Sequence, residues 1–193
     1  MSHKLEFFYD YVSTYSYLAN SQVANINAEV VYRPMFLGAV MRATDNSPPI
    51  TVKAKGRYLN IDVARWASHY GIPFKMNPIF PQNTVNALRL ALVAQREGCF
   101  DAVHQALFDA MWVQQKDLSD LECLSDIATS AGMSKSAIAD IGSDATKDEL
   151  RKNTDEAVSR GAFGAPTFFV GDEMFFGNDR FAFIEAALGT CGD

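Results

Sequence analysis

The stretch FFYDYVSTYSYLAN, residues 7–20, runs an aromatic-rich segment into Ser13 and starts a helical pattern directly beyond it. KLEFFY, residues 4–9, reads as a strand, because aromatic side chains fit a pleated, half-buried surface. From Tyr15 the apolar positions Tyr15, Leu18, Ala19, Val23 and Ile26 return at three- and four-residue spacing, which predicts a helix to about Asn27. EVVYRPMF, 29–36, is a second strand that Pro34, with no N–H to donate, should end or place at an edge. Strand, helix and strand in this order make a βαβ unit with parallel strands and a right-handed crossover. The junction at Ser13 therefore sits where chemistry is often placed, yet it carries no Cys, no His and no glycine-rich loop.

Beyond this unit, TDNSPPI (44–50) is a loop by its turn residues and paired prolines. From about Leu59 to Gly161 the pattern is helical, with candidates at 60–70, 83–97, 99–114, 118–131, 134–140 and 144–160. TVNALRLALVAQ is apolar almost all round, as a buried helix should be. After GAFGAP the character reverts: TFFV (167–170) and EMFF (173–176) are short strands joined at Gly171-Asp172, and a last helix runs from about Arg180 to Leu188. The order β-α-β, helical block, β-β-α describes an α/β, thioredoxin-like fold with a large all-helical insertion. The thioredoxin-like domain is discontinuous, 1–40 plus 162–193, and the insertion is 41–161.

Hydrophobic residues at 48% and charged residues at 21% of 193 positions allow a sizeable core. The formal net charge of −6 disfavours nucleic acid and anionic membrane as partners, leaving room for a local basic pocket. Cys99, Cys123 and Cys191 show no CxxC spacing, which points to a reducing compartment with neither disulfide framework nor zinc site. His3, His69 and His104 are scattered, without acidic partners at metal-ligand spacing, so no metal is expected. No secretory leader or membrane-length apolar run is visible, and a cytoplasmic location is the expectation.

Ser13 stands where a helix N-cap belongs, accepting an amide hydrogen bond from Tyr15 or Ser16. A capping hydroxyl keeps its own proton to donate, into a region where the helix dipole favours negative charge. GAFGAPTFF, 161–169, is a second junction: Gly161 and Gly164 read as turn residues, and a cis Ala165-Pro166 bond would expose backbone for pairing with a peptide-like ligand. FGNDR, 176–180, is a third, where Asn178 and Asp179 read as caps or as acceptors for a ligand ammonium. Lys53, Lys55 and Arg57 form a basic cluster that is either a solvated face or a carboxylate site. Cys99 and Cys123 fall in helical patterns as small core residues.

Together, YDYVSTYSYLAN, YRPMFLGAVM, DNSPP, GAFGAPTFFV and FGNDR, in this order across almost the whole chain, resemble the 2-hydroxychromene-2-carboxylate isomerases. That family is similar to the kappa-class glutathione transferases, in the DsbA-like branch of thioredoxin folds. One departure is Ser13-Thr14-Tyr15, where relatives have Ser-Pro-Tyr; another is Asn178, where they often have Gln or Ser. The resemblance implies glutathione as cofactor, with Ser13 as the catalytic group facing its sulfur and Tyr15 in the same site. It further implies Asn46 and Lys53 on polar and carboxylate groups of the tripeptide, the Ala165 backbone before Pro166 on its cysteinyl segment, and Asn178 and Asp179 on its γ-glutamyl end.

The implied reaction is a cis–trans isomerisation of a small aromatic keto acid, by reversible addition of the thiolate to a conjugated double bond. Arg33 or Arg57 would hold the substrate carboxylate, and Phe36, Trp66 and Phe80 are candidates for an apolar lid or for core packing. A homodimer is implied as well. Two other functions fit the same fold: a kappa-like transferase that conjugates glutathione to electrophiles, and a non-catalytic module that holds extended peptides at Pro166. Thiol–disulfide exchange, the usual work of this branch, is disfavoured by Ser at both 13 and 16.

Overall fold

Leu5, Phe7 and Tyr9 alternate with Phe8 along β1 (Lys4–Tyr9), and all four are fully buried, because β1 lies inside a sheet covered on both faces. The computed structural model describes residues 4–190, so His3 and Cys191 lie outside the described residues. β1 is followed by α1 (Thr14–Val23) and β2 (Glu29–Pro34), then α2 (Leu37–Ala43) and α3 (Lys53–Tyr70). Next come α4 (Val85–Glu97), α5 (Phe100–Trp112), α6 (Leu121–Ser130), α7 (Lys135–Ala139) and α8 (Asp144–Ser159). β3 (Thr167–Val170), β4 (Glu173–Phe176) and α9 (Phe181–Thr190) complete the order. The sheet runs β2-β1-β3-β4, with β1 and β2 parallel and the other pairs antiparallel.

One face of the sheet, through Leu5, Phe7, Tyr9, Phe168 and Val170, packs on residues of α1, α4, α5 and α9. Phe7 stacks on Phe168 at 4.8 Å. The other face, through Phe8 and Phe169, meets Met35, Leu37 and Val40 and, from α8 and the loop after it, Ala157 and Ala162. Each large ring buried this way contributes about 1.5–3 kcal/mol. The core is continuous across residues 41 and 161, the boundaries expected for the insertion: Leu88, Leu92, Phe108 and Trp112 share one cluster with β1.

Within that cluster the Tyr11 hydroxyl contacts His104 Nδ1 at 2.9 Å, and His104 Nε2 meets Asn20 Oδ1 at 2.8 Å. Burial pushes the His104 imidazole down to about 3, so it is a neutral core group between two polar partners. Cys99 and Cys123 are half-buried against the same core. Among the described residues no helix is long and apolar enough to cross a membrane, and no group of three His, Cys, Asp or Glu residues is placed to hold a metal ion.

Both late strands and the hairpin at Gly171, with φ 57°, stand where the sequence places them. Three helices differ from the periodic reading. α1 ends at Val23, because the Asn25 and Ile26 amides turn back to the carbonyls of Gln22 and Val23. α2 forms although its seven residues carry too little periodicity to register; the Leu37 N–H at its start is held by Asp10 at 2.9 Å. α3 begins at Lys53 rather than near residue 60, its first amide bond running from Gly56 to the Val52 carbonyl directly after the Pro49–Thr51 turn. The Pro49–Thr51 turn lies against the start of this helix, with Ile50 Cα 3.4 Å from where a Cβ at 56 would stand.

Candidate active site at the Ser13 junction

The turn from β1 to α1 is built on Asp10, a fully buried carboxylate. It accepts from the Val12 amide at 3.1 Å, the Leu37 amide at 2.9 Å and the Thr84 hydroxyl at 2.5 Å. Burial raises its pKa above the usual carboxylate value and outweighs these three hydrogen bonds, which pull it down. The Asp10 carbonyl also accepts from the Ser13 amide at 3.0 Å, fixing the residue that caps α1.

Ser13 is buried, and its oxygen accepts from the Ser16 amide at 3.1 Å, the capping bond expected. Its proton is not free as expected: the hydroxyl donates to the Ala165 carbonyl at 2.9 Å, across 152 residues of chain. The Ala165-Pro166 peptide is cis, and the Ala165 N–H takes no part in the hydrogen bonds of the surrounding turns. Ser16 is fully buried, and its hydroxyl has no hydrogen-bond partner among the described residues. α1 has no acidic residue in its own first turn to offset the positive end of its dipole.

The other expected site residues fall into two groups. Asn46 is tied to this junction, donating to the Phe163 carbonyl at 2.8 Å, two residues before Ala165. Tyr15 donates to Asp62 at 2.8 Å; burial, then that bond, push its phenol pKa well up. Asn178 is buried, its carbonyl accepting from the Tyr70 hydroxyl at 2.8 Å. Asp179 is exposed, paired with Arg180 at 2.7 Å, and near enough to Tyr15 and Tyr70 to raise both phenols electrostatically. Neither Asn178 nor Asp179 is inside α9, whose first amide bonds, from Phe183 and Ile184, go to the Arg180 carbonyl. Lys53 opens α3 on the surface, and Arg57 is exposed one turn further on.

The second group is held by other contacts, and of its members Trp66 reaches residues of the first. Arg33 is ion-paired with Glu156 and sits over the Phe8 ring at 5.3 Å. Phe80 packs on Trp112 at 5.7 Å, and Phe36 carries Arg42 over its ring at 5.8 Å. Trp66 lines a 260 Å³ cavity with Gln22, Tyr70, Asp179 and Glu185. Sequence reasoning missed Asp10, Tyr58, Asp62 and Tyr70. Tyr58 and Asp62 stand four apart on α3, with the Tyr58 hydroxyl 3.3 Å from Asp62, a spacing visible in the sequence. The Tyr70 and Asp10 contacts are long-range and leave no such trace.

Gly177, just before Asn178, has φ 108°, and its amide donates to the Pro166 carbonyl at 3.1 Å. A Cβ there would also stand 3.0 Å from Asp179 Oδ1. Gly177→Ala is expected to cost about 1–3 kcal/mol in backbone strain, lowering the melting temperature by about 2–12 °C. A calorimetric melt matching the parent protein would show that the loop relaxes at no cost.

A family model described as a DSBA-like thioredoxin domain matches residues 4–189. A 2-hydroxychromene-2-carboxylate isomerase of Pseudomonas putida is 32% identical over 197 residues, covering 96% of this chain and 94% of that protein. A solved 2-hydroxychromene-2-carboxylate isomerase superposes with a TM-score of 0.87 at 28% identity, over 97% of this chain and 95% of that one. Glutathione S-transferase kappa 1 of Rattus norvegicus is 28% identical, covering 96% of this chain and 90% of that protein. The chain belongs to the DsbA-like thioredoxin family and, within it, to the 2-hydroxychromene-2-carboxylate isomerase family.

Proposed function

We propose that the chain is a glutathione-dependent cis–trans isomerase of 2-hydroxychromene-2-carboxylate-like aromatic degradation intermediates. The observation that carries this reading is the Ser13 hydroxyl, held at the amino end of α1 and hydrogen-bonded to the Ala165 carbonyl beside a cis proline, with Ser rather than Cys at 13 and 16. The relatives named isomerases support the reaction class, and the kappa-transferase relative supports glutathione.

The residues present suit a tripeptide thiol. The uncommitted Ala165 amide would pair with its cysteinyl backbone. Asp179 would take its ammonium, with Asn178 holding that loop through Tyr70, and Asn46 and Lys53 would take its glycyl end. Glutathione supplies a thiolate that adds reversibly to a conjugated double bond. The chain's part is to hold negative charge on that sulfur with the Ser13 proton and the α1 amides, and to keep water from the junction.

A kappa-like transferase is the second reading, favoured by the 28% identity to the rat protein. Product analysis separates the two. Isomerised keto acid with glutathione returned unchanged is expected; a glutathione adduct that accumulates without isomerisation would assign the chain to transfer.

A redox role is testable by restoring the sulfur. Residues three apart in a helical first turn lie within the roughly 4.4–6.8 Å Cα span of a disulfide. Ser13→Cys combined with Ser16→Cys is therefore expected to form a reducible disulfide and, with dithiothreitol regenerating the dithiol, to speed insulin reduction, whereas the parent protein is expected to leave the dithiothreitol rate unchanged. Insulin reduction by the parent protein would contradict a Ser13 that serves only to stabilise a borrowed thiolate.

A further inference from the structure

Beside the first turn of α1 a 390 Å³ cavity lies between the Pro49–Thr51 turn and the start of α3, lined by Tyr15, Pro49, Ala54, Lys55, Tyr58 and Leu59. Two of its walls are aromatic and share one anchor. The Tyr15 hydroxyl donates to Asp62 Oδ2 at 2.8 Å and the Tyr58 hydroxyl to Asp62 Oδ1 at 3.3 Å. Tyr58 is nevertheless 57% exposed, so a large ring is held at the surface by that carboxylate. The Pro49–Thr51 turn packs closely on α3 behind the cavity, Ile50 Cα lying 3.4 Å from where a Cβ at 56 would stand.

Charge is distributed unevenly in this region. Lys53, Lys55 and Arg57 stand within five residues on a chain of net charge −6, and α3 has no acid in its first turn. Among the described residues Lys55 forms no ion pair. Ring faces with Pro49 and Leu59 suit a flat apolar body, and a single cation at the wall suits one anionic group. Both phenol protons are already given to Asp62, so the tyrosine oxygens offer a ligand lone pairs and no donor. A hydroxyl on the ligand's ring would meet an acceptor.

We propose that this cavity is the subsite for the ring and carboxylate of the non-thiol substrate: Lys55 binds the carboxylate, Tyr15 and Tyr58 flank the ring, and Asp62 is the positioning residue that fixes both phenols. The link to isomerisation rests on the function proposed above, but the binding does not need glutathione. Of the residues the sequence offered for this role, Arg33 is ion-paired with Glu156 and Phe80 packs on Trp112, while Arg57 is exposed two residues beyond Lys55.

The test measures binding of salicylate, and of uncharged salicylamide, to the glutathione-free protein by ligand-observed NMR and calorimetry. Salicylate is expected to bind about tenfold more tightly than salicylamide, the scale of one charged hydrogen bond. Lys55→Met should erase that preference, and Tyr58→Leu should weaken both ligands. Asp62→Asn and Tyr58→Phe should each weaken salicylate, and together no more than the larger single effect, read as affinity because two side chains in contact are non-additive in stability in any case. In turnover assays at saturating glutathione, Lys55→Met should raise KM about tenfold more than it lowers kcat. Unchanged salicylate binding in Lys55→Met and Tyr58→Leu would overturn the proposal, as would a Lys55→Met protein that loses glutathione but keeps salicylate. Absence of isomerase activity in the parent protein would instead remove the functional reading and leave the salicylate result to decide the cavity.

Discussion

Ser13→Ala is expected to lower isomerisation about 5- to 30-fold while changing glutathione affinity less. A thiol with a pKa near 8.5 needs roughly two units of depression to be mostly ionised at pH 7, about 2.7 kcal/mol. The end of a helix supplies up to about 2 kcal/mol when partly buried, and a hydrogen bond to a charged group about 1.5–3 kcal/mol. The structure shows that the second figure is not all gain. Ser13 already donates to the Ala165 carbonyl, so a thiolate must draw that proton away from a neutral acceptor. A neutral hydrogen bond is worth about 0.5–1.5 kcal/mol, which leaves a net of about 1–2 kcal/mol for the exchange. Ser13→Ala should therefore raise the pKa of the bound thiol by about one unit, read from thiolate ultraviolet absorbance against pH. An unchanged pH–absorbance curve would remove Ser13 from the stabilisation of sulfur.

Asp10→Ala is expected to give the largest loss of stability of the substitutions considered, about 3 kcal/mol or more. It strands the Val12 and Leu37 amides and the Thr84 hydroxyl in the interior, and each buried unsatisfied donor costs about 1–3 kcal/mol. Relief of a buried charge offsets part of that sum. The melting temperature should fall by at least about 6 °C. The sign with pH follows from the raised pKa of Asp10. Between the unfolded value near 3.8 and its raised folded value, the native state holds more protons than the unfolded chain. The stability contributed by Asp10 therefore falls as pH rises through that window and is level above it. The melting gap between parent and Asp10→Ala proteins should narrow as pH rises from 4; a gap that widens would show that the carboxylate is ionised more easily in the fold than in the open chain. His104 acts the other way, since its depressed value of about 3 makes its contribution fade as pH falls below 6.5.

The parts of this fold that could be read from sequence were those governed by local chemistry. β1, β2 and the β3–β4 hairpin follow from aromatic runs ended by Pro34 and turned at Gly171. The capping role of Ser13 follows from its place before a helical period. α2 and the first two turns of α3 were illegible, because Asp10 and the Pro49–Thr51 turn, distant or irregular neighbours, hold them in place. The same division runs through the site. Resemblance named Ser13, Ala165, Pro166 and Asn46, and the structure brings these segments into one junction. That Ser13 spends its proton on Ala165, and that Tyr15 and Tyr58 converge on Asp62, are facts of tertiary packing that no spacing in one segment records.

The most direct test of a thiolate held by Ser13 is the isomerisation rate of the chromene carboxylate with glutathione, with none, and with S-methylglutathione. The expected result is turnover that saturates with glutathione and is absent with the methylated tripeptide, which offers no thiolate to the Ser13 hydroxyl. Turnover at the full rate without glutathione, or equal support by S-methylglutathione, would contradict it.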